Sequence, residues 1–156
     1  MRDPDLDLKN ETYMIIREGK NTKVKFAFAD PDCIVIPPEK QMKLPSSDVT
    51  FQLDSIQLGK LLKASSVYQL PDLSAVGNGE EVTLVVSDRK NDNSNEYTLV
   101  VGKTEQTFEF NFKIENIKLI PGSYDVQISK KNLAKFTNSN YNLDYFIALE
   151  PDSTYE

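Results

Sequence analysis

The heptapeptide TFEFNFK, residues 107–113, decides the fold class of this chain. Its three phenylalanines occupy alternate positions, so Phe108, Phe110 and Phe112 share one face of an extended strand. The opposite face carries Thr107, Glu109, Asn111 and Lys113. Such alternation predicts a sheet with one buried face and one face that meets water or a partner.

Short β-rich segments lie on both sides of this heptapeptide. Clusters of Gly, Asn, Asp and Pro separate them, and these residues favour turns. The predicted strands are residues 48–53, 73–76, 81–89, 96–101, 107–113, 123–129, 133–137 and 145–149. This succession of short strands predicts mostly antiparallel sheet.

One segment follows a helical period instead. Asp54, followed three residues later by Gln57, resembles a capping box at a helix start. The positions that then recur at helical spacing are Ile56, Leu58, Leu61, Leu62 and Ser65. This helix ends near Tyr68, and residues 114–119 predict one further helical turn. The fold class is therefore α+β, with a helix packed on one face of antiparallel sheet.

The N-terminal third has a different organisation. Residues 11–28 predict a hairpin with turn chemistry at 18–21, and the proline-rich stretch 30–47 is the best candidate for an interdomain connector. The sequence FAFADPD at 26–32 is also similar to FIALEPD at 146–152. This similarity fits either a duplicated domain with a truncated first copy or two strands of like composition that end in a common turn.

Composition excludes several classes of function. Cys33 is the only cysteine and histidine is absent, which removes disulfides, Cys or His zinc sites and Ser-His or Cys-His nucleophiles. No carboxylate motif for a hydrolase is recognisable, and the acidic segment 88–96 lacks the spacing of an EF-hand loop. We therefore expect no enzyme, no metal and no cofactor.

Charge and hydropathy constrain partners and location. The formal net charge is −6, so any contact with DNA must be local. The longest apolar runs are far shorter than the roughly 20 residues of a membrane span, and the N-terminus is acidic and polar. The sequence predicts a cytosolic protein without a transmembrane segment.

A set of short motifs resembles one known family. They are the run 108–112, the helical turn near Asn116, PGSY at 121–124, AKF at 134–136, ALEPDST at 148–154, and Leu58, LLK at 61–63 and Ser65 in the helix. Their order and approximate spacing resemble the sliding clamp of T-even type bacteriophages from about Tyr13 to the C-terminus. The resemblance implies the DNA-clamp fold, with antiparallel β-sheets and one main and one short second helix on the DNA-facing side.

The resemblance also implies an organisation and a function. Residues 1–36 would be the terminal hairpin of a truncated first clamp domain, 37–47 the interdomain connector and 48–156 the C-terminal clamp domain. Such a clamp is a non-enzymatic processivity factor of viral DNA replication, a homotrimer when full length, which encircles duplex DNA independently of sequence. The implied partners are DNA polymerase, the clamp loader and late-transcription factors, in the cytoplasm of the infected bacterial host.

Candidate DNA-facing residues lie on the predicted helix and beyond it. Gln57, Lys60, Lys63 and Ala64 are expected to share the helix face opposite the leucines. In the clamp family this face meets DNA, which implies contacts for Lys60 and Lys63. The further candidates are Lys113, Lys118, Lys130 and Lys131. Taken without the resemblance, all these lysines equally fit an ordinary solvated surface.

Two partner surfaces follow from the same resemblance. A hydrophobic pocket for the C-terminal peptide of polymerase is implied at Ile36, Met42, Leu44, Leu149 and Pro151. The alternative is that these residues only pack the connector against the domain. An edge that pairs with the neighbouring subunit is implied at Glu96, Tyr97, Thr98, Leu99, Val100 and Val101, although an interior strand has the same alternation.

A second function fits the same composition. A phage structural or adhesion β-domain without DNA contact would share the acidity, the β content and the lack of reactive groups. The two functions differ in what they require of Lys60 and Lys63, which only a clamp would use.

Overall fold

The structure is a computed structural model that describes residues 4–34, 42–138 and 140–156. The chain divides into two units, Met1–Gln41 and Met42–Glu156. The unit boundary falls within the predicted connector 37–47, of which residues 37–41 lie outside the described part of the chain.

The first unit is a small antiparallel sheet. Its strands are β1 (Asp5–Asp7), β2 (Tyr13–Glu18) and β3 (Thr22–Ala27), in the order β1-β2-β3, and a 3-10 turn at Pro31–Cys33 follows. The predicted hairpin is confirmed, whereas β1 was not predicted. Several apolar side chains stay accessible, as in Phe26 at 54% exposure, and Cys33 is exposed.

The second unit contains two sheets and one helix. Its elements are β4 (Val49–Leu53), α1 (Ser55–Tyr68), β5 (Asp72–Asn78), β6 (Glu81–Ser87), β7 (Tyr97–Lys103), β8 (Thr107–Lys113), a 3-10 turn (Ile114–Asn116), β9 (Tyr124–Ser129), β10 (Leu133–Asn138), β11 (Leu143–Ala148) and β12 (Thr154–Tyr155). One sheet has the order β11-β10-β9-β4 and the other the order β12-β8-β5-β6-β7. All pairings are antiparallel, as the sequence predicts.

One core joins both sheets and the helix. Phe110 and Phe112 of β8, Ile128 of β9 and Leu61 of α1 are at most 2% exposed and belong to a single apolar cluster. Each such side chain contributes roughly 1.5–3 kcal/mol through removal from water. Gly77 is required here, because a Cβ at this position would lie 2.3 Å from the Phe108 ring.

The face of the five-stranded sheet opposite the phenylalanines is also buried, at three polar residues. We call Asp72, Ser74 and Asn111 the polar layer; they are 1%, 4% and 0% exposed. The Ser74 hydroxyl and the Asn111 side-chain amide are hydrogen-bonded at 2.6 Å. The prediction that Asn111 lies on a wet or partner-facing surface is therefore wrong.

The C-terminal segment is hydrogen-bonded to the backbone of β8 beside this polar layer. The Asn111 N–H donates to Ser153 Oγ at 2.9 Å, and the Glu150 N–H donates to the Asn111 carbonyl at 2.7 Å. Strand β12 then pairs with β8, Thr154 opposite Glu109 and Tyr155 opposite Phe108. Residues 150–156 therefore cover the β8 edge of the sheet, beside the polar layer.

Candidate functional site

Helix α1 carries the main candidate residues, and its sequence fixes where it begins and ends. Asp54 Oδ1 accepts the Gln57 N–H at 2.7 Å, and Gln57 Oε1 accepts the Asp54 N–H at 3.0 Å, so the predicted capping box is confirmed. Gln69, with φ 55°, ends the helix in the left-handed conformation. The Leu70 N–H then donates to the Ser65 carbonyl at 2.9 Å.

The exposed face of α1 differs in part from the prediction. Lys60 and Lys63 are exposed, as expected, and Gln57 is half-buried. Ala64 is only 7% exposed, so its assignment to the open face is wrong. The reason is its position three residues after the buried Leu61, which places it on the core side of the helix.

Ile56 was predicted among the apolar positions of α1, but it lies on the open face. Its side chain is 68% exposed, and that of Val67 is 64% exposed. Ile56 lies two positions before the buried Leu58, which turns it about 200° round the helix at 100° per residue. The open face of α1 therefore combines two lysines with exposed aliphatic side chains.

Electrostatics distinguish this face from the rest of the chain. The sequence of α1, SIQLGKLLKASSVY, contains two lysines and no acidic residue, whereas the chain as a whole has a net charge of −6. Within the described ranges, neither the Lys60 nor the Lys63 ammonium forms an ion pair. The helix is a locally basic surface on an acidic protein.

The other candidate lysines lie in different surroundings. Lys113 Nζ is ion-paired with the buried carboxylate of Asp72, and this hydrogen bond raises the pKa of Lys113. Lys130 Nζ lies 3.9 Å from Asp48 Oδ1 and 5.5 Å from the centroid of the Tyr155 ring. Lys118 and Lys131 are exposed. The structure thus gives Lys113 and Lys130 partners within the protein, and their predicted contacts with DNA stay predictions.

Asp48 shows how the Lys130 turn is held. Hydrogen bonds from Ser46 Oγ at 2.5 Å and from the Lys130 N–H at 3.0 Å lower the pKa of its carboxyl group. This turn therefore has a structural role beside β4, which sequence spacing did not indicate because Asp48 and Lys130 are 82 residues apart.

The residues predicted for the peptide pocket differ in accessibility. Ile36 lies outside the described residues. Met42 is 57% exposed, Leu44 is half-buried and Pro151 is exposed. Leu149 is 6% exposed and belongs to the apolar core. The pocket stays a prediction, in which Leu149 would form part of the floor.

Strand β7 contains the residues predicted for the subunit interface. It lies at one end of the strand order of its sheet, with β6 as its neighbour. Tyr97, Leu99 and Val101 are half-buried against the core, whereas Thr98 and Val100 are exposed, as is Glu96 just before the strand. In the described part of the chain, β7 is therefore an edge strand; its pairing with another subunit stays a prediction.

Two further properties concern the described residues alone. No group of three or more His, Cys, Asp or Glu side chains in this part of the chain is arranged to hold a metal ion. No helix in the same ranges is long and apolar enough to cross a membrane.

Solved structures define the class of protein to which this fold belongs. The chain matches a DNA polymerase III subunit beta DnaN sliding clamp from Bartonella birtlesii with a TM-score of 0.60 and 15% identity, over 93% of this chain and 41% of that one. It matches A. fulgidus PCNA, solved with the C-terminal region of FEN-1 bound, with a TM-score of 0.56 and 13% identity, over 97% of this chain and 65% of that one. The fold is that of the DNA sliding clamps, which confirms the predicted fold class.

Sequence comparisons then identify the family. The family model described as gp45 sliding clamp, C terminal, matches residues 50–151, and the chain belongs to this family. It is 26% identical over 153 residues to the sliding clamp of Vibrio phage KVP40, over 94% of this chain and 67% of that protein. It is 25% identical over 162 residues to the sliding clamp of Enterobacteria phage T4, over 99% and 69%. The chain thus spans about two thirds of these relatives, and the predicted resemblance is confirmed.

These matches support the function of a DNA polymerase sliding clamp in phage DNA replication. None of them favours a structural or adhesion domain.

Proposed function

We propose that this protein encircles duplex DNA and holds a DNA polymerase on its template, with helix α1 turned toward the DNA. The observation that carries the proposal is the charge of α1, whose open face has Lys60 and Lys63 and whose sequence has no acidic residue. No bond is made or broken by the protein. The polymerase performs the chemistry, and the clamp prevents its loss.

A clamp must contact DNA weakly, and this charge distribution suits that need. Each lysine that neutralises a phosphate adds about 0.9 to the slope of log affinity against log salt concentration. Two lysines per helix therefore centre the duplex without holding it in one place. The net charge of −6 keeps the rest of the surface from adhering to DNA.

The proposed assembly is a homotrimeric ring in which β7 pairs with a neighbouring subunit. An edge strand offers unpaired backbone N–H and C=O groups that a second strand can satisfy. Residues 1–36 would belong to the first clamp domain, 37–47 would be the connector and 48–156 the C-terminal domain. The exposed Val100, at 50%, would become covered at this interface.

Protein partners are proposed to dock near the connector. Met42 and Leu44 of the connector, with Ile36 just before it and Pro151, would receive an extended C-terminal peptide of the polymerase over the buried Leu149. A. fulgidus PCNA with the bound C-terminal region of FEN-1 is a precedent for such a peptide on this fold. The clamp loader and late-transcription factors would be the other partners, in the cytoplasm of the infected host.

Charge reversal on the helix tests the proposal. In the complete protein, Lys60→Glu combined with Lys63→Glu should reduce processive synthesis on a primed circular template by roughly tenfold or more, because attraction to phosphates becomes repulsion. Clamp loader and ATP are supplied in excess, polymerase is limiting relative to primed template so that most products come from one binding event, and product lengths are measured on a denaturing gel.

The matched control reverses the charge of two exposed lysines outside α1, with Lys20→Glu and Lys90→Glu. It changes the net charge by the same amount and should leave product lengths near those of the wild type. If the helix variant folds, as judged by circular dichroism, and still supports synthesis like the control, α1 does not face DNA and the proposal is wrong.

A further inference from the structure

Gly59 lies in the interior of α1 and has no internal reason to be glycine. In the described part of the chain, a Cβ built at this position meets no atom within 4 Å beyond its chain neighbours and nearby helix backbone. The positive-φ glycines of the described residues are Gly19 and Gly79, so Gly59 does not need the left-handed conformation either. A helix-interior glycine is disfavoured relative to alanine, because it loses more backbone entropy on folding.

The position of Gly59 on the helix suggests an external reason. It is exposed and has Ile56 three residues before it and Lys63 four residues after it, which makes both its neighbours on the helix surface. At 100° per residue, Gly59 lies about 40° round the helix from Lys63 and about 100° from Lys60, so it flanks Lys63 on the side away from Lys60. Lys60 is adjacent in sequence. The missing side chain therefore leaves a notch on the open basic face.

We propose that Gly59 is a notch that admits a phosphate backbone strand of duplex DNA against α1, beside the ammonium group of Lys63 and on the side away from Lys60. This inference rests on the proposed function, because it assumes that α1 faces DNA. The occupant follows from charge complementarity, since the notch adjoins Lys63 on a helix that carries two lysines and no acidic residue. Direct ammonium–phosphate hydrogen bonds need a nitrogen–oxygen distance near 2.8 Å, so a side chain that holds the strand away breaks them.

The test separates helix stability from contact with DNA. Gly59→Ala should raise Tm by about 3 °C, because alanine favours the helix, while it partly fills the notch. Gly59→Gln should fill the notch completely with an uncharged side chain. Ser66→Ala is the matched control: it also favours the helix at an exposed position, but it leaves the notch open.

The measurement is the diffusion coefficient of the complete clamp, loaded on DNA blocked at both ends, at low and high salt. The wild type and Ser66→Ala should diffuse faster as salt screens the lysine contacts. Gly59→Gln should be fast already at low salt and should lose most of its salt dependence, and Gly59→Ala should lie between them.

Three results would be informative. Unchanged diffusion in Gly59→Gln, with the expected rise in Tm for Gly59→Ala, would overturn the notch and leave glycine as a tolerated residue. Faster diffusion in Ser66→Ala as well would also overturn it, since helix stability would then be the cause. If the wild type is not retained on end-blocked DNA, the proposed function itself fails, which is distinguishable from failure of the notch.

Discussion

The two faces of the five-stranded sheet are buried to a similar degree by different means. On one face Phe108, Phe110 and Phe112 pack into the apolar core, at 1–3% exposure. On the other face the polar layer, at 0–4% exposure, is satisfied by hydrogen bonds and ion pairs beside the β8 edge that residues 150–153 line. Alternation along a strand thus assigns side chains to the two faces of the sheet. Whether a face is exposed to solvent depends on what packs against that face.

The apolar face should dominate stability, and Phe110→Ala tests this. Phe110 stacks on Phe108 with ring centroids 5.1 Å apart and lies 6.0 Å from the Tyr155 ring. Truncation should lower the free energy of unfolding by about 3–5 kcal/mol, because a close-packed core relaxes only partly around the cavity. Urea unfolding followed by circular dichroism measures the change. A loss below about 1 kcal/mol would contradict the importance assigned to this face.

The polar layer should be the second-largest contributor, through Asp72. Its carboxylate accepts a hydrogen bond from the Arg89 backbone N–H at 3.1 Å and another from the Lys113 ammonium. Asp72→Ala should cost about 2 kcal/mol, because both donors lose a buried acceptor while water reaches Lys113, whose side chain is 27% exposed.

The double variant Asp72→Ala/Lys113→Met separates the ion pair from the rest of the layer. It should recover part of the loss in the same urea measurement, since it removes the unpaired charge. Equal losses in the single and double variants would show that the ion pair is not what Asp72 contributes.

The smallest effect is expected at the rim of the polar layer, where Arg89 pairs with Asp152. The hydrogen bond from Arg89 lowers the pKa of Asp152 and raises that of Arg89. A carboxyl group whose pKa is lowered by folding stabilises the protein above its unfolded pKa, near 3.9, and this contribution is lost as pH falls through the folded pKa. Because the Asp152 side chain is 59% exposed, Asp152→Asn should cost less than about 1 kcal/mol at pH 7.

Comparing stability at two pH values isolates the contribution of the Asp152 carboxylate. The difference in stability between the wild type and Asp152→Asn should shrink toward zero near pH 2, while the shared effects of Asp48 and Asp144, whose pKa values are also lowered, cancel. A difference that stays constant from pH 7 to pH 2 would show that the ionised carboxylate is not involved.

Much of the fold could be predicted from local sequence. The capping box at Asp54 and Gln57 and the alternation in 107–113 determine α1 and β8 with the observed boundaries, because both signals depend on residues a few positions apart. Strands β1 and β12 were missed, since segments of three and two residues form only where a partner strand is available. Their formation depends on pairing with other strands, which their own short sequences do not indicate.

The candidate site was predicted to a similar extent. The exposure of Lys60 and Lys63 follows from helical spacing relative to Leu58 and Leu61. The pairing of Lys113 with Asp72 joins residues 41 positions apart, so no local pattern could indicate it. Gly59 was visible in the sequence, but only the open space around it in the structure made it notable.

The exposed thiol of Cys33 has a practical consequence. As the only cysteine of the chain, it accepts a single maleimide dye without any substitution, and the dye labels the first unit. If the chain assembles into the proposed ring, a fluorophore on Cys33 would report subunit exchange from one position per chain.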